Sequence, residues 1–394
     1  MVFFSLNRTF VTMKLKVGFD AKRIVRNGTG LGSYGRTLVN DLIRKGEDID
    51  IHLYAPDEGR DDLRNQIIEG AHFHYPQGQR SKVKGRRSIF NSSILPFFNS
   101  YWRSHGIVND LKRQEVQIYH GLSGELPIGL RKAGIKSVVT IHDLIFMRHP
   151  EYYHWIDTKI YEWKFRKTIQ EADRIIAISE RTKQDIIELG HISDDRIRVI
   201  YQSCSPRFSE AVDAARVATV RQRYQLPDRF ILNVGTIERR KNLRLAAETL
   251  PLLPQDVHLV AVGRQTSYAK ELPQSDRLHL LSGVPDDDLA VIYHLAEAFV
   301  YPSRYEGFGI PIIEAIAAGL PVVACSGSCL EEAGGPACLY VDPDNVEGMA
   351  EALQAVLKGS AGRDERIRLS QEYIQRFRGL DVAAQVLELY KELV

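Results

Sequence analysis

The feature that most constrains this chain is a rhythm. Short apolar runs alternate with longer segments of helical period, the pattern breaks, and then it begins again. KLKVGFD, IDIHLYAP, VQIYHG, SVVTIHDL, RIIAIS and IRVIYQS form a first set, with helices predicted over Ser33–Lys45, Tyr152–Ala172 and Glu180–Leu189. Strands alternating with helices imply a parallel sheet covered on both faces. The polar stretch CSPRFSEAVDAARVATVRQRYQLPD interrupts the pattern, and RFILNVGT, VHLVAVG, RLHLLSG, AFVYPS, PVVACS and ACLYVDP restart it. The fold class is therefore α/β, with two Rossmann-like doubly wound units in tandem and ligand sites beyond the carboxyl ends of their strands. The expected divisions are 13–205 for the first unit, 206–228 for a linker, 229–375 for the second unit, and 376–394 for a last helix that crosses back to the first.

The 394 residues, 44% of them hydrophobic, are enough for two cores. Lys and Arg total 52 against 50 Asp and Glu, so the chain lacks the global basic field of a dedicated nucleic-acid binder. Cys204, Cys325, Cys329 and Cys338 are too few for a disulfide framework, and no histidine stands near Cys325 and Cys329 to complete a metal site. They read as reduced thiols of a cytoplasmic protein. MVFFSLNRTFVT has neither the apolar core nor the cleavage pattern of a signal peptide, so the first twelve residues are expected to be dispensable. No apolar run approaches membrane-spanning length.

Two charged stretches have competing readings. Residues 80–113 hold Arg80, Lys82, Lys84, Arg86, Arg87, Arg103, Lys112 and Arg113 against Asp110 alone, interleaved with Phe90, Phe97, Phe98, Tyr101 and Trp102. Such a segment either rests on the anionic inner face of a membrane or forms a partly buried helix with basic flanks. Asp286-Asp287-Asp288 has the look of a metal motif, but an amphipathic helix follows at once and N-terminal capping explains it better.

The stretch Tyr301-Pro-Ser-Arg-Tyr-Glu306-Gly-Phe-Gly-Ile-Pro311-Ile-Ile-Glu314, followed by Ala-Gly-Leu-Pro-Val-Val, is the richest in chemistry. A strand ends, Gly307 and Gly309 permit close backbone approach, and Pro311 suits the first turn of a helix. The N–H groups of Gly307, Phe308, Gly309 and Ile310 would attract phosphate, and Glu306 and Glu314 border that pocket where they would accept hydrogen bonds from sugar hydroxyls. Val234-Gly235-Thr-Ile-Glu238-Arg239-Arg240-Lys241-Asn242 sets adjacent cations after another strand, where they would stabilise a departing diphosphate. Asn27-Gly28-Thr-Gly30-Leu-Gly32-Ser33-Tyr34 is a glycine-rich turn opening a helix, and His142 ends the strand VVTIHDL. Ser179 reads as a helix cap.

Taken together these segments resemble glycosyltransferase family 4, which has the GT-B fold. The resemblance implies that Glu306 meets the donor sugar and Glu314 the ribose, while Arg240 and Lys241 hold the diphosphate. Gly30 and Gly32 match the family's Thr-Gly-x-Gly-x-Tyr loop, and His142 falls on the His-Asp-Leu motif beside the transferred sugar. Arg239 departs from the family's usual proline, and Thr236 stands where some members carry a further arginine. The resemblance also implies a retaining enzyme without a metal cofactor, a nucleotide-diphosphate-sugar donor bound by the second unit, and a glycan or lipid-linked acceptor bound by the first. Similarity to bacterial mannosyltransferases of surface-polysaccharide synthesis makes GDP-mannose the first expectation, with UDP-hexoses next. A sugar-nucleotide 2-epimerase and a non-catalytic nucleotide-sugar sensor are the alternatives.

Overall fold

The computed structural model describes residues 14–46, 49–76 and 99–394. The first twelve residues therefore lie outside the described part, as do Arg80, Lys82, Lys84, Arg86, Arg87, Phe90, Phe97 and Phe98.

Seven strands form the first sheet: β1 (Leu15–Asp20), β2 (Ile49–Tyr54), β3 (Ala71–His74), β4 (Ile118–Gly121), β5 (Lys136–Ile141), β6 (Arg174–Ala177) and β7 (Ile197–Val199). Their order is β3-β2-β1-β4-β5-β6-β7, parallel throughout. Six more form the second: β8 (Phe230–Val234), β9 (His258–Val262), β10 (Leu278–Leu281), β11 (Ala298–Tyr301), β12 (Val322–Cys325) and β13 (Leu339–Val341). These run β10-β9-β8-β11-β12-β13, again all parallel. The strand order reverses direction beside β1 in one sheet and beside β8 in the other, and the crevices at those points are where ligands of such sheets bind.

The helices used below are α1 (Lys22–Arg26), α2 (Gly30–Lys45), α3 (Trp155–Glu171), α4 (Glu180–Gly190), α5 (Ala214–Tyr224), α6 (Asp286–Leu295), α7 (Ile310–Ala317), α8 (Leu330–Gly334) and α9 (Val382–Lys391). Alternate central-strand residues bury on both faces: Val17, Phe19, Val138 and Val139 in the first unit, Phe230, Leu232, Phe299 and Val300 in the second. That two-sided burial explains why the strands read as continuous apolar runs.

Two stretches differ from their expected roles. Residues 206–228 are not a bare linker: α5 is capped by Asp213 and buries Val220 among the apolar residues of the second unit. Asp288 is more than a capping residue. It is buried and receives Arg216 at 2.5 Å, Arg223 at 2.6 Å and the Tyr224 hydroxyl at 2.8 Å, tying α5 to α6. The last helix, α9, leaves the second unit and packs Val386, Leu389 and Tyr390 among Val17, Phe19, Leu38 and Val39. The Tyr390 hydroxyl lies 2.6 Å from His120 Nδ1, and Arg198 reaches Glu392 at 2.8 Å.

The described end of the basic segment turns inward. Trp102 is buried and donates its indole N–H to Asp110 at 2.7 Å, and Arg103 pairs with Asp20 at 2.7 Å and Glu125 at 3.1 Å. No helix among the described residues is long and apolar enough to cross a membrane.

Candidate active site

The carboxyl end of β11 and the start of α7 bracket a loop that carries Glu306. From the carboxyl side of β8, Arg240 and Lys241 reach across to it. Lys241 Nζ stands 2.5 Å and Arg240 NH1 3.0 Å from Glu306 Oε1, both at angles unsuited to hydrogen bonding. Lys241 also donates to the Tyr301 hydroxyl at 2.8 Å, and Arg240 to the Tyr305 carbonyl at 2.5 Å and to Glu238 at 2.8 Å. Burial alone would raise the Glu306 carboxyl, but Lys241 and Arg240 hold it down at about 2. Burial likewise works against the charge on Lys241, and Glu306 overcomes it, keeping the ammonium above its ordinary range. The three groups form an ionised cluster at neutral pH.

Eight residues along, Glu314 has a different setting. It accepts from the Tyr293 hydroxyl at 3.0 Å and forms no ion pair among the described residues. Burial raises its carboxyl to about 7 although the residue is only half-buried. Between the two glutamates, Gly309 takes φ +120° at the start of α7, which leaves the first N–H groups of that helix without a side-chain cap. The Phe308 ring does not face the cleft. It packs against Tyr201 and Phe377, with centroids 5.4 and 5.3 Å away, so only its backbone can meet a ligand.

The first unit supplies the opposite wall. Gly307 lies so close to His142 that a Cβ there would sit 2.0 Å from the His142 carbonyl oxygen, so the position requires glycine. His142 donates its Nε2–H to the Leu122 carbonyl at 2.9 Å, which fixes the tautomer, and Nδ1 then accepts from Gln202 at 3.2 Å. Burial lowers its pKa to about 4. This imidazole is neutral with both nitrogens engaged. The structure thus places His142 beside the Glu306 loop, with no ring nitrogen left unpartnered.

Gly30 and Gly32 sit at the start of α2, separated from β1 by α1 rather than following the strand directly. Gly32 packs against the Asn27 carbonyl and Gly30 is exposed. Their link to the site is Tyr34, whose ring meets His142 edge-on at 4.9 Å.

Sequence reasoning missed the contacts that hold the two walls together. Ser179 caps α4 as expected, yet its hydroxyl also donates to the Gly307 carbonyl at 2.6 Å, joined by Thr182 at 3.1 Å. Tyr305, next to Glu306, donates to Asp185 at 2.5 Å and accepts from Arg181 at 2.8 Å. Glu332 accepts from the Glu180 and Arg181 N–H groups at 2.7 and 3.3 Å. Ser179, Arg181, Thr182 and Asp185 belong to the first unit and their partners to the second, so closure of the cleft and placement of the Glu306 loop are one set of bonds. The only sequence signal was the adjacency of Tyr305 to Glu306.

Two family profiles match the chain in tandem: "Glycosyltransferase Family 4" over residues 28–206 and "Glycosyl transferases group 1" over residues 219–375. The O-antigen chain mannosyltransferase B of Escherichia coli is 30% identical over 288 residues, covering 70% of this chain and 74% of the relative. The chain belongs to glycosyltransferase family 4. It is a glycosyltransferase with the GT-B fold of two facing parallel-sheet units. Among other family relatives, the D-inositol 3-phosphate glycosyltransferase of Corynebacterium urealyticum is 27% identical over 406 residues, 92% of this chain and 91% of that one. The solved structure of Anabaena HepE in complex with UDP and glucose superposes with a TM-score of 0.73 at 17% identity, covering 96% and 100% of the two chains. For a glycosyltransferase of this family, the cluster of Arg240, Lys241 and the uncapped α7 N-terminus can receive a polyanion, and the flanking glutamates can receive hydroxyl groups.

Proposed function

We propose that this glycosyltransferase moves a hexose, with mannose from GDP-mannose as the first assignment, to a glycan or lipid-linked glycan acceptor with retention at the anomeric carbon. The observation that carries the reading is the buried Lys241–Arg240–Glu306 cluster beside the α7 N-terminus. Mannose is supported by the activity for which the Escherichia coli relative is named, and a nucleotide-sugar donor by the UDP and glucose bound in the HepE structure.

In this reading Glu306 occupies, in the free enzyme, the cations that serve the donor. The incoming diphosphate takes over Lys241 and Arg240, and Glu306 turns to the sugar hydroxyls. The acceptor oxygen then bonds to the anomeric carbon on the face from which the diphosphate leaves. The electron pair of the breaking C–O bond goes to the diphosphate oxygen, and that group takes the acceptor proton. Lys241, Arg240 and the loop N–H groups stabilise charge that is larger in the transition state than in the bound donor, which is where such contacts accelerate a reaction. Two buried cations at the leaving group fill the role a divalent ion would have, so the reading is metal-independent. His142 and Gly307 bring the acceptor wall against the sugar; the imidazole transfers no proton.

Thermal melting with a panel of nucleotide sugars tests the donor, since a ligand at a hundredfold its dissociation constant adds about 2.7 kcal/mol. GDP-mannose should give the largest shift; a larger shift with a UDP-hexose reassigns the sugar. Incubating the stabilising donor without acceptor separates the alternatives: appearance of a C2 epimer establishes an epimerase, and slow hydrolysis alone supports a transferase.

A further inference from the structure

The outer surface of α3 is rich in exposed apolar side chains. Five of the ten exposed large apolar side chains among the described residues lie on this one helix: Trp155 (70% exposed), Ile156, Ile160, Tyr161 and Trp163 (53%). Ile156, Ile160 and Trp163 recur at helical spacing, so they form one stripe. The helix already satisfies its core on the other side, where Thr158, Phe165, Thr168 and Ile169 are buried. Scattered surface apolar residues need no explanation, but a contiguous stripe marks an interaction site.

Its surroundings are cationic. Lys159 flanks the stripe with its side chain 73% exposed, half-buried Lys167 continues it one turn on, and Arg166 borders it, with Glu162 shared between Lys159 and Arg166. Indole rings among lysines and arginines suit the headgroup region of an anionic bilayer, where the rings bury and the charged tips stay wet. A second copy of the chain fits poorly. A stable protein interface uses about 20–30 residues a side, whereas this stripe is a handful of side chains, and two copies face to face would oppose their lysines.

The helix also lies at the acceptor wall. Lys164 reaches Glu125 at 3.0 Å, Glu125 pairs with Arg103, and Arg103 pairs with Asp20 at the carboxyl end of β1. That chain of ion pairs joins α3 to the crevice of the first sheet.

We propose that the Ile156-Ile160-Trp163 face of α3, with Trp155, Lys159 and Lys167, docks the enzyme on an anionic phospholipid bilayer and so presents the acceptor crevice to the membrane surface. The inference rests on the lipid-linked acceptor proposed above. It assigns the contact to α3, a segment distinct from residues 80–113.

The test uses the full chain with vesicles of phosphatidylglycerol and phosphatidylethanolamine, against vesicles of phosphatidylcholine alone. Wild type should sediment with the anionic vesicles only, and its tryptophan emission should shift to the blue, since Trp155 and Trp163 are exposed while Trp102 is already buried. An Ile160→Ser, Trp163→Ser double variant should weaken vesicle binding at least tenfold. Lys159→Glu with Lys167→Glu should weaken it and flatten its salt dependence. Unchanged melting temperatures check the fold. All variants should retain wild-type transfer to a water-soluble acceptor glycan. Vesicle binding that ignores both double variants, wild type that binds no vesicles, or a wild-type dimer that Ile160→Ser, Trp163→Ser makes monomeric would each overturn the assignment. Loss of transfer to a soluble acceptor from every protein, wild type included, would instead count against the glycosyl-transfer reading and leave the vesicle result standing.

Discussion

Glu306 and Glu314 border the start of a single helix, yet their carboxyls move in opposite directions, one held at about 2 and the other raised to about 7. The backbone around them is shared, so the difference lies in what reaches them from elsewhere. Lys241 and Arg240 arrive at Glu306 from β8; Glu314 meets the neutral Tyr293 hydroxyl on α6. One end of the pocket is therefore prepared for charge and the other for neutral hydroxyl groups, as a diphosphate joined to a ribose would need.

The largest expected effect comes from breaking the charged end. Lys241→Ala should lower kcat by roughly a hundred- to a thousandfold, the cost of removing one preorganised donor. The melting temperature should fall as well, because Glu306 is left buried with Arg240 alone. If steady-state kinetics show nearly wild-type turnover, the charged end is not where leaving-group charge is stabilised.

Tyr305→Phe removes the hydroxyl shared by Asp185 and Arg181 without touching the pocket. We expect kcat to fall roughly ten- to a hundredfold, corresponding to about 1.4–2.7 kcal/mol for the two hydrogen bonds lost, with donor affinity by calorimetry unchanged. A change in affinity alone would place Tyr305 in ground-state binding rather than in closure.

Glu314→Gln sharpens the neutral end. A carboxyl raised in the folded state holds its proton there while the unfolded chain has lost it, so wild-type stability should decline as pH rises from about 4.5 to about 7. Glu306 has the reverse sign: its contribution is in place above about 4.5 and disappears as pH falls towards 2. Denaturant melts at pH 5 and pH 8 should show a smaller difference for Glu314→Gln than for wild type, and donor KM should rise a fewfold with kcat retained. Equal pH dependence in the two proteins would mean that Glu314 titrates normally.

The smallest effect is none. Chelators should leave transfer unchanged, since Lys241 and Arg240 provide the positive charge; loss of activity in EDTA with recovery in manganese would bring a metal to the charged end.

Much of this was legible in the sequence. Twelve of the thirteen strands announce themselves as apolar runs, because central parallel strands bury both faces. β3 did not: its sequence AHFH sets histidines where apolar residues would alternate, and as an edge strand it is only half-buried. The helix in 206–228 was hidden by its arginines, two of which, Arg216 and Arg223, pair with the buried Asp288. At the site, spacing located both glutamates and both cations. It could not show their opposite titration, nor the engagement of both His142 nitrogens, because these depend on residues such as Leu122 and Gln202 that only the folded chain brings near.

The return of α9 to the first unit has a consequence for how the molecule is made. Its Val386, Leu389 and Tyr390 complete a core whose first strand begins at Leu15, so segments made far apart in time seal the same interior. Domains generally fold in order of synthesis, but here the second unit can finish while the first still waits for its closing helix. A chain truncated before Val382 would expose the flank of α2, and nascent chains of this protein should depend on protection of that flank until α9 emerges.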